Sequence, residues 1–226
     1  MVEIVFPDTP SHEAVFQTSG TKKGLSPKVI TSRAVLGEPA AVPIRESTLG
    51  DDIELKRFFA AQKAQWGFHA VQLRCTFAAG EGETFERATV TVQLSAENSG
   101  SGRTPMAWSM SPFKLAQKIK TTQSDSIGAD LKLLNSKLGY TVEVPDNQLY
   151  VIAYNEQCAN PYWYLKAVPG ITIEGVERFS MIVRIPRGSK AAGQLSVAAD
   201  ILARRFGGLI ICTAAVPNVP QLSFSL

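Results

Sequence analysis

The stretch WGFHAVQLRCTFAAGEGETFERATVTVQLS, residues 66–95, decides how the rest of the chain reads. In its first half Val71, Leu73, Cys75 and Phe77 fall on one side of an extended chain and Gln72, Arg74 and Thr76 on the other, the two-residue period of a half-buried strand. In its second half Ala88, Val90, Val92 and Leu94 alternate with Arg87, Thr89, Thr91 and Gln93, and the β-branched residues strengthen the strand reading. Between the halves, Gly80 and Gly82 with their flanking carboxylates suit a solvated hairpin loop, so an antiparallel pair is expected. One apolar face per strand requires a covering layer from the remaining chain, either an opposing sheet or helices. Trp66 and Phe68 are out of phase with Val71 and Leu73, which predicts a bend or bulge near 67–70.

On the N-terminal side, residues 1–47 carry a short strand candidate at Val2–Phe6 and then Pro7, Pro10, Pro27, Pro39 and Pro43 among Ser, Thr and Gly. Prolines at that density work against a long helix or a central strand, and the segment reads as an extended arm, or as a loosely held terminus. Thr48 to Asp51 has the form of a capping box, with Asp51, Asp52 and Glu54 in a first turn where the helix dipole favours negative charge. A helix over 50–64 follows, with Leu55, Phe58 and Phe59 as its apolar stripe and Asp52 and Lys56 one turn apart.

On the C-terminal side, residues 98–105 read as a loop, 105–112 as an apolar plug around Trp108, and 112–120 as a short inserted helix with Pro112 near its first position. Strand signals then recur at 129–134, 140–144, 148–155, 161–165 and 179–186, punctuated by Pro145-Asp146-Asn147, Pro169-Gly170 and Pro186-Arg187-Gly188. Residues 193–206, GQLSVAADILARRF, fit two patterns. As a strand, Leu195, Val197, Ala199 and Ile201 share a face; as a helix, Leu195, Ala199, Leu202 and Phe206 do, with Gly207 as the stop. The glycine at 193 and the phase of Val197 favour a strand entering a hairpin with LIICTAAV at 209–216. The tail from Pro217 reads as an extended end that could form an edge strand.

The expected fold class is therefore mainly β: an antiparallel β-sandwich of about eight or nine strands with one N-terminal helix and a short inserted helix. The alternative is an α+β fold with a C-terminal strand-helix-strand unit, its helix at about 192–206. The expected division is an arm over 1–47 and a single globular domain over 48–226.

Composition excludes several classes. With 45% apolar and 19% charged residues the chain is ordinary globular material. A net charge of +3, with Lys22-Lys23 and Arg204-Arg205 only doublets, gives no basic stripe for nucleic acid. The most apolar run, 209–216, is far short of the ~20 residues of a membrane span, and the opening MVEIVFPDTPSHE has no signal-peptide pattern. Three cysteines, Cys75, Cys158 and Cys212, make no CxxC pair, so a soluble cytoplasmic protein is the expectation.

Candidate chemistry is sparse. The two histidines, His12 and His69, lack metal-ligand spacing, and no metal or cofactor is expected. His69 shares a face with Val71 and reads as a core or rim histidine; Cys75, six residues on, is ~20 Å away along a strand and cannot be activated by it. Cys158, beside Asn155, Gln157 and Asn160, reads as a plain loop thiol. Ser111 and Lys114 have the S-x-x-K spacing that lets a lysine one helical turn on deprotonate a serine, without any accompanying KTG; they also read simply as a helix start. No nucleophile elbow, P-loop or dinucleotide fingerprint occurs. Tyr162, Trp163 and Tyr164, with Trp108, form the candidate interaction surface, although alternation points Trp163 opposite to its two neighbours and at least one side toward a core. The functional expectation is a non-catalytic interaction or assembly module that binds a protein partner through loops, an edge strand or the N-terminal arm. Alternatives are a self-assembling shell-like subunit and a Ser/Lys hydrolase using Ser111 and Lys114.

Overall fold

The two halves of the 66–95 stretch do form long strands, but they belong to different sheets. The computed structural model describes Phe6 and residues 10–15, 17–18, 30–49, 51, 53–97, 103–116, 148–205, 208–215 and 222–226. Strand β5 (Trp66–Ala78) pairs with β3 (Arg33–Gly37), β4 (Ala40–Pro43) and β11 (Gly175–Pro186), and β1 (Ser11–Val15) and β7 (Met106–Ser111) flank this sheet A. Strand β6 (Glu83–Ala96) pairs with β10 (Tyr162–Lys166) and β12 (Ala191–Arg205). Sheet B continues through β9 (Val151–Tyr154) to β8 (Lys114–Leu115) on one side, and through β13 (Gly208–Ala215) to β2 (Gln17–Thr18) on the other; β14 (Leu222–Ser225) also pairs with β12. All these pairings are antiparallel, and the two sheets make a β-sandwich.

The expected hairpin is thus an arch. Residues 79–82 carry the chain from sheet A to sheet B, and the apolar faces of β5 and β6 turn toward each other. Each half supplies the covering layer that the other requires, and Phe77 and Phe85 meet edge-on across the arch at 5.3 Å between ring centroids. A second arch at 187–190 joins β11 to β12, so four long strands build the centre of the core. Trp163 packs on Phe179 between the sheets at 5.0 Å.

The phase break at 67–70 has a different cause from a bulge, because β5 pairs with β11 in unbroken register from Trp66 to Phe77. What changes is the covered face. Val71, Leu73, Cys75 and Phe77 face the inter-sheet core, while Phe68 and Ala70 face outward into a second cluster with Leu49, Leu55 and Ile182. Helix α1 (Ile53–Gln62) covers that outer face, its Phe58 and Phe59 rings lying 6.1 and 5.8 Å from Phe68. Burial thus switches sides where the helix ends its cover, and two periods in one straight strand result.

Other expectations are corrected. Residues 191–205 are strand, which overturns the strand-helix-strand alternative; β12 makes the hairpin with β13 instead. Its inner row Leu195, Val197, Ala199 and Ile201 is buried against the core, which the helical stripe would have split. No inserted helix starts at Pro112: the Ser111–Pro112 bond is cis, and the chain bends into the short β8. Thr48 does not cap α1, since its hydroxyl donates to the Arg45 carbonyl at 2.6 Å and accepts from the Arg45 N–H at 3.1 Å. Where residues 1–47 are described, β1 to β4 are paired into the two sheets, and Ala34 and Leu36 are buried. Pro39 falls at the break between β3 and β4, which keeps each strand free of an interior proline. The strand candidates at 2–5, 129–134 and 140–144, and the Asp52–Lys56 pair, lie outside the described residues. No helix among the described residues is long and apolar enough to cross a membrane.

Both lateral sides of the sandwich are closed by chain that changes sheet. On one side β1 leads into β2; on the other β7 leads through the cis proline into β8. The remaining free side of β7 is bonded to the 155–158 loop, through Ala107 N–H to Cys158 O at 3.0 Å and Gln157 N–H to Ala107 O at 2.6 Å. A bridged edge of this kind leaves little of the β7 main chain open for pairing with another molecule.

Candidate functional site

The expected interaction residues separate onto two faces and the core. Trp163 is fully buried, so its place in the candidate surface is corrected: strand alternation turns it inward between Tyr162 and Tyr164. Those two tyrosines stand on the outer face of sheet B. Tyr162 stacks on Tyr154 at 5.0 Å with planes 17° apart, and Tyr164 lies opposite Ile152 and Thr89 in register. The surrounding positions are Thr89, Thr91, Ser196 and Ala198, small side chains that leave the rings standing above the sheet.

Trp108 is on the other sheet. It is half-buried, stacked 6.0 Å from Phe58 of α1 on one contact and 4.4 Å from the Arg184 guanidinium on another. Arg184 also lies 4.1 Å from the Trp66 ring centroid, and Arg103 lies 5.4 Å from it. The result is a ladder of alternating cations and indoles at the start of β5. Arg184 Nη2 donates to Met106 Sδ at 3.2 Å, and burial and the nearby Arg103 charge both lower its pKa from the ordinary value.

Ser111 and Lys114 are not one turn apart on a helix. They sit at the end of β7 and the start of β8 around the cis-proline bend, so the one-turn helical spacing the mechanism needs is absent. Cys75 is buried, and its thiol is pushed up by burial and then by the Glu177 charge, the reverse of what a nucleophile requires. Glu177 faces the core and accepts a 2.6 Å hydrogen bond from the Tyr150 hydroxyl, whose pKa is raised by burial and by that partnership. Cys158 is exposed in the loop beside β7.

His69 holds a position that strand alternation foretold only in part. It lies on the inner face of β5, in register with Val183 and Pro43, where the sandwich opens at one end. Its Nδ1 is enclosed and has no hydrogen-bond partner among the described residues. Burial lowers its pKa from the ordinary 6.5, so the ring is neutral at pH 7. The sign of the resulting pH dependence follows. In the window below about 6.5 and above the depressed native value, the unfolded chain binds a proton that the native chain refuses. Stability is complete above that window and falls as the pH drops through it, by at most about 1.4 kcal/mol per pH unit. Urea unfolding of wild type between pH 7.5 and 5 should show this loss, and His69→Asn should flatten it; equal slopes in the two proteins would remove His69 as the source.

His69 floors a cleft of about 280 Å³ at this end. Its walls come from Trp66, Ile185 and Pro186, and its rim from Lys63, Arg187 and Ser189. Arg187 is held in place by its Nη1 donating to the Lys63 carbonyl at 2.6 Å and its N–H donating to the Gln65 carbonyl at 2.8 Å. The β11–β12 arch is thereby tied to the turn that follows α1. Sequence reasoning missed the cleft because its two rims lie far apart in the chain.

No protein-family model matches the chain, and no curated protein matches it. Among solved structures, the Clostridium perfringens NetB toxin in the membrane inserted form is similar at 11% sequence identity and a TM-score of 0.31, over 96% of this chain and 94% of that one. A likeness that loose carries nothing about fold or role. The class defined here is a mainly β protein of two antiparallel sheets with one described α-helix.

Proposed function

We propose that this chain is a non-catalytic interaction module that engages a protein partner through the outer face of sheet B. The observation that carries the reading is the row of aromatic rings on the outer face of sheet B, Tyr162 stacked on Tyr154 at 5.0 Å with Tyr164 on the same face. Helix α1 and its aromatic side chains occupy the outer face of sheet A at the Trp66 end, whereas no described helix or strand lies across Tyr154, Tyr162 and Tyr164. Tyr154 is 40% exposed. Rigid aromatic rings with a hydroxyl tip give large contact area at low entropic cost. The bridged edge of β7 favours the face over strand addition there.

The test is site-specific photo-crosslinking in the native host, with the reactive residue placed at Tyr154 or, as a control, at Gln72 on the outer face of sheet A. A discrete protein adduct from position 154 alone is expected. In the purified pair, Tyr162→Ala should weaken binding about 30-fold, the scale of one aromatic hot spot. An adduct formed equally from both faces, or none from position 154, overturns the reading. An adduct with a second copy of the chain would make the partner the protein itself, the assembly alternative.

A further inference from the structure

We propose that the segment received on the outer face of sheet B is an extended, uncharged, proline-rich stretch of the partner, an inference that rests on the protein-partner reading above and names the chemistry that face takes. Two ridges stand on it: Tyr154 beside Tyr162, and Ile152 beside Tyr164, each pair in register across β9 and β10. On β6 and β12 the same rows continue in small side chains, Thr91 and Ser196 in the first and Thr89 and Ala198 in the second. None of these eight is charged. Among the described residues charge stands at the borders, with Lys114 opposite Ile152 on β8 and with Lys166, Arg87 and Asp200 in register in the next row. Gln93 and Gln194, also in register, close the other end with neutral amides.

That composition narrows the occupant. A partner strand has no ladder to join, because β10, β6 and β12 are each paired on both sides. An amphipathic helix needs an apolar groove, and the aliphatic surface in these rows is Ile152 and Ala198. A charged segment meets no counter-charge there. A polyproline helix fits, because it is extended before it binds and its carbonyls, unpaired within the helix, seek donors. The hydroxyls of Tyr154, Tyr162 and Tyr164 have no hydrogen-bond partner among the described residues and can supply them. Spacing agrees: Tyr162 and Tyr164 lie two positions apart on one strand, which sets the ridges about 6.6 Å apart, and one X-Pro pair of a polyproline helix spans about 6.2 Å. A sugar is the other neutral occupant, and it stacks on rings laid flat. Here Tyr154 and Tyr162 are register partners whose rings stack 5.0 Å apart with planes at 17°, about the distance between strands, so they face each other along the sheet and present edges and hydroxyls outward.

The experiment titrates the full chain by two-dimensional NMR with decaproline, with a glycine–serine decapeptide as the flexible control and with cellohexaose as the neutral sugar. Decaproline should saturate below about 1 mM, and the glycine–serine peptide should bind at least about tenfold more weakly, since it must be ordered on binding. The amides of Thr91, Tyr154, Tyr162 and Tyr164 should move while that of Gln72, on the outer face of sheet A, stays still. Tyr162→Ala should weaken decaproline about tenfold or more. Tyr154→Ala, at an exposed ring, gives the same readout should the first variant not fold. Failure of decaproline to saturate, equal binding of the glycine–serine peptide, or tighter binding of cellohexaose at the same amides would each overturn the proposal. A protein adduct from position 154 without decaproline binding removes the proline-rich segment and keeps the protein partner, whereas absence of any adduct removes both.

Discussion

Glu83→Ala should destabilise the protein by about 2–4 kcal/mol, the largest loss expected from a single side chain outside the apolar core. Glu83 is 4% exposed, and its carboxylate gathers a segment distant in sequence. Oε2 accepts from the Ser32 N–H at 2.8 Å, the Ser32 hydroxyl at 2.7 Å and the Thr31 N–H at 3.1 Å. The Ser32 hydroxyl in turn accepts from the Gly80 N–H at 3.0 Å. Alanine would leave those donors facing a void, and each unmet buried donor costs about 1–3 kcal/mol. Glu83→Gln keeps one acceptor oxygen in place and should cost less than half as much. Urea unfolding gives the energies, and hydrogen exchange at Ser32 should lose protection in the alanine variant. A loss below about 1 kcal/mol would mean that water replaces the carboxylate without penalty and that the 31–33 segment is not held by it.

Gly193→Val is the second large expectation, at about 2–4 kcal/mol, and it acts through shape alone. Gly193 lies in β12 between Leu94 of β6 and Phe224 of β14, and the Phe224 ring lies where a side chain at 193 would begin. Any Cβ there overlaps the ring, so β14 must lift or the two sheets must part. The aromatic ring covers a gap that glycine leaves in the strand, and the two residues act as a unit. Phe224→Ala should therefore rescue part of the Gly193→Val loss. In a double-mutant cycle the two changes together should cost at least about 1 kcal/mol less than their sum. Strict additivity would separate the glycine from the ring.

The alternation of β5, β6, β11 and β12 was legible residue by residue, and so was the inward turn of Trp163. Alternation reports which face of a strand is buried, however, and not what buries it. That is why the 66–95 stretch reads as a hairpin and folds as an arch: both arrangements put Val71 to Phe77 and Ala88 to Leu94 against an apolar layer. The same limit applies at 67–70, where the change of phase was visible but its cause, a helix lying on the opposite face, was not. Residues 193–206 satisfied two periods at once, and β6 and β13, one on each side of them, select the strand. Pro112 was read as a helix start because a proline's fixed φ suits that position, while the sequence does not announce the isomer of the bond before it. His69 was legible as a rim histidine; the cleft around it was not, because Arg187 and Ser189 reach it only through sheet pairing.

The arches also set the order in which this chain can assemble. In a hairpin, neighbouring strands exchange main-chain hydrogen bonds early because they are joined by a short loop. Here β5 and β6 are joined by a short loop and exchange none. Their ladders are completed by β11 and β12, about a hundred residues downstream. What local closure offers first is a side-chain clasp, Phe77 against Phe85, with one edge of β5 and the whole backbone of β6 still open to water. The hydrogen-bonded sheets close only when the second arch docks on the first, so on a ribosome β5 can pair only with β3 and β4, and β6 with no strand, until the C-terminal half has emerged. Slow, late closure and a need for shielding during synthesis follow from that connectivity.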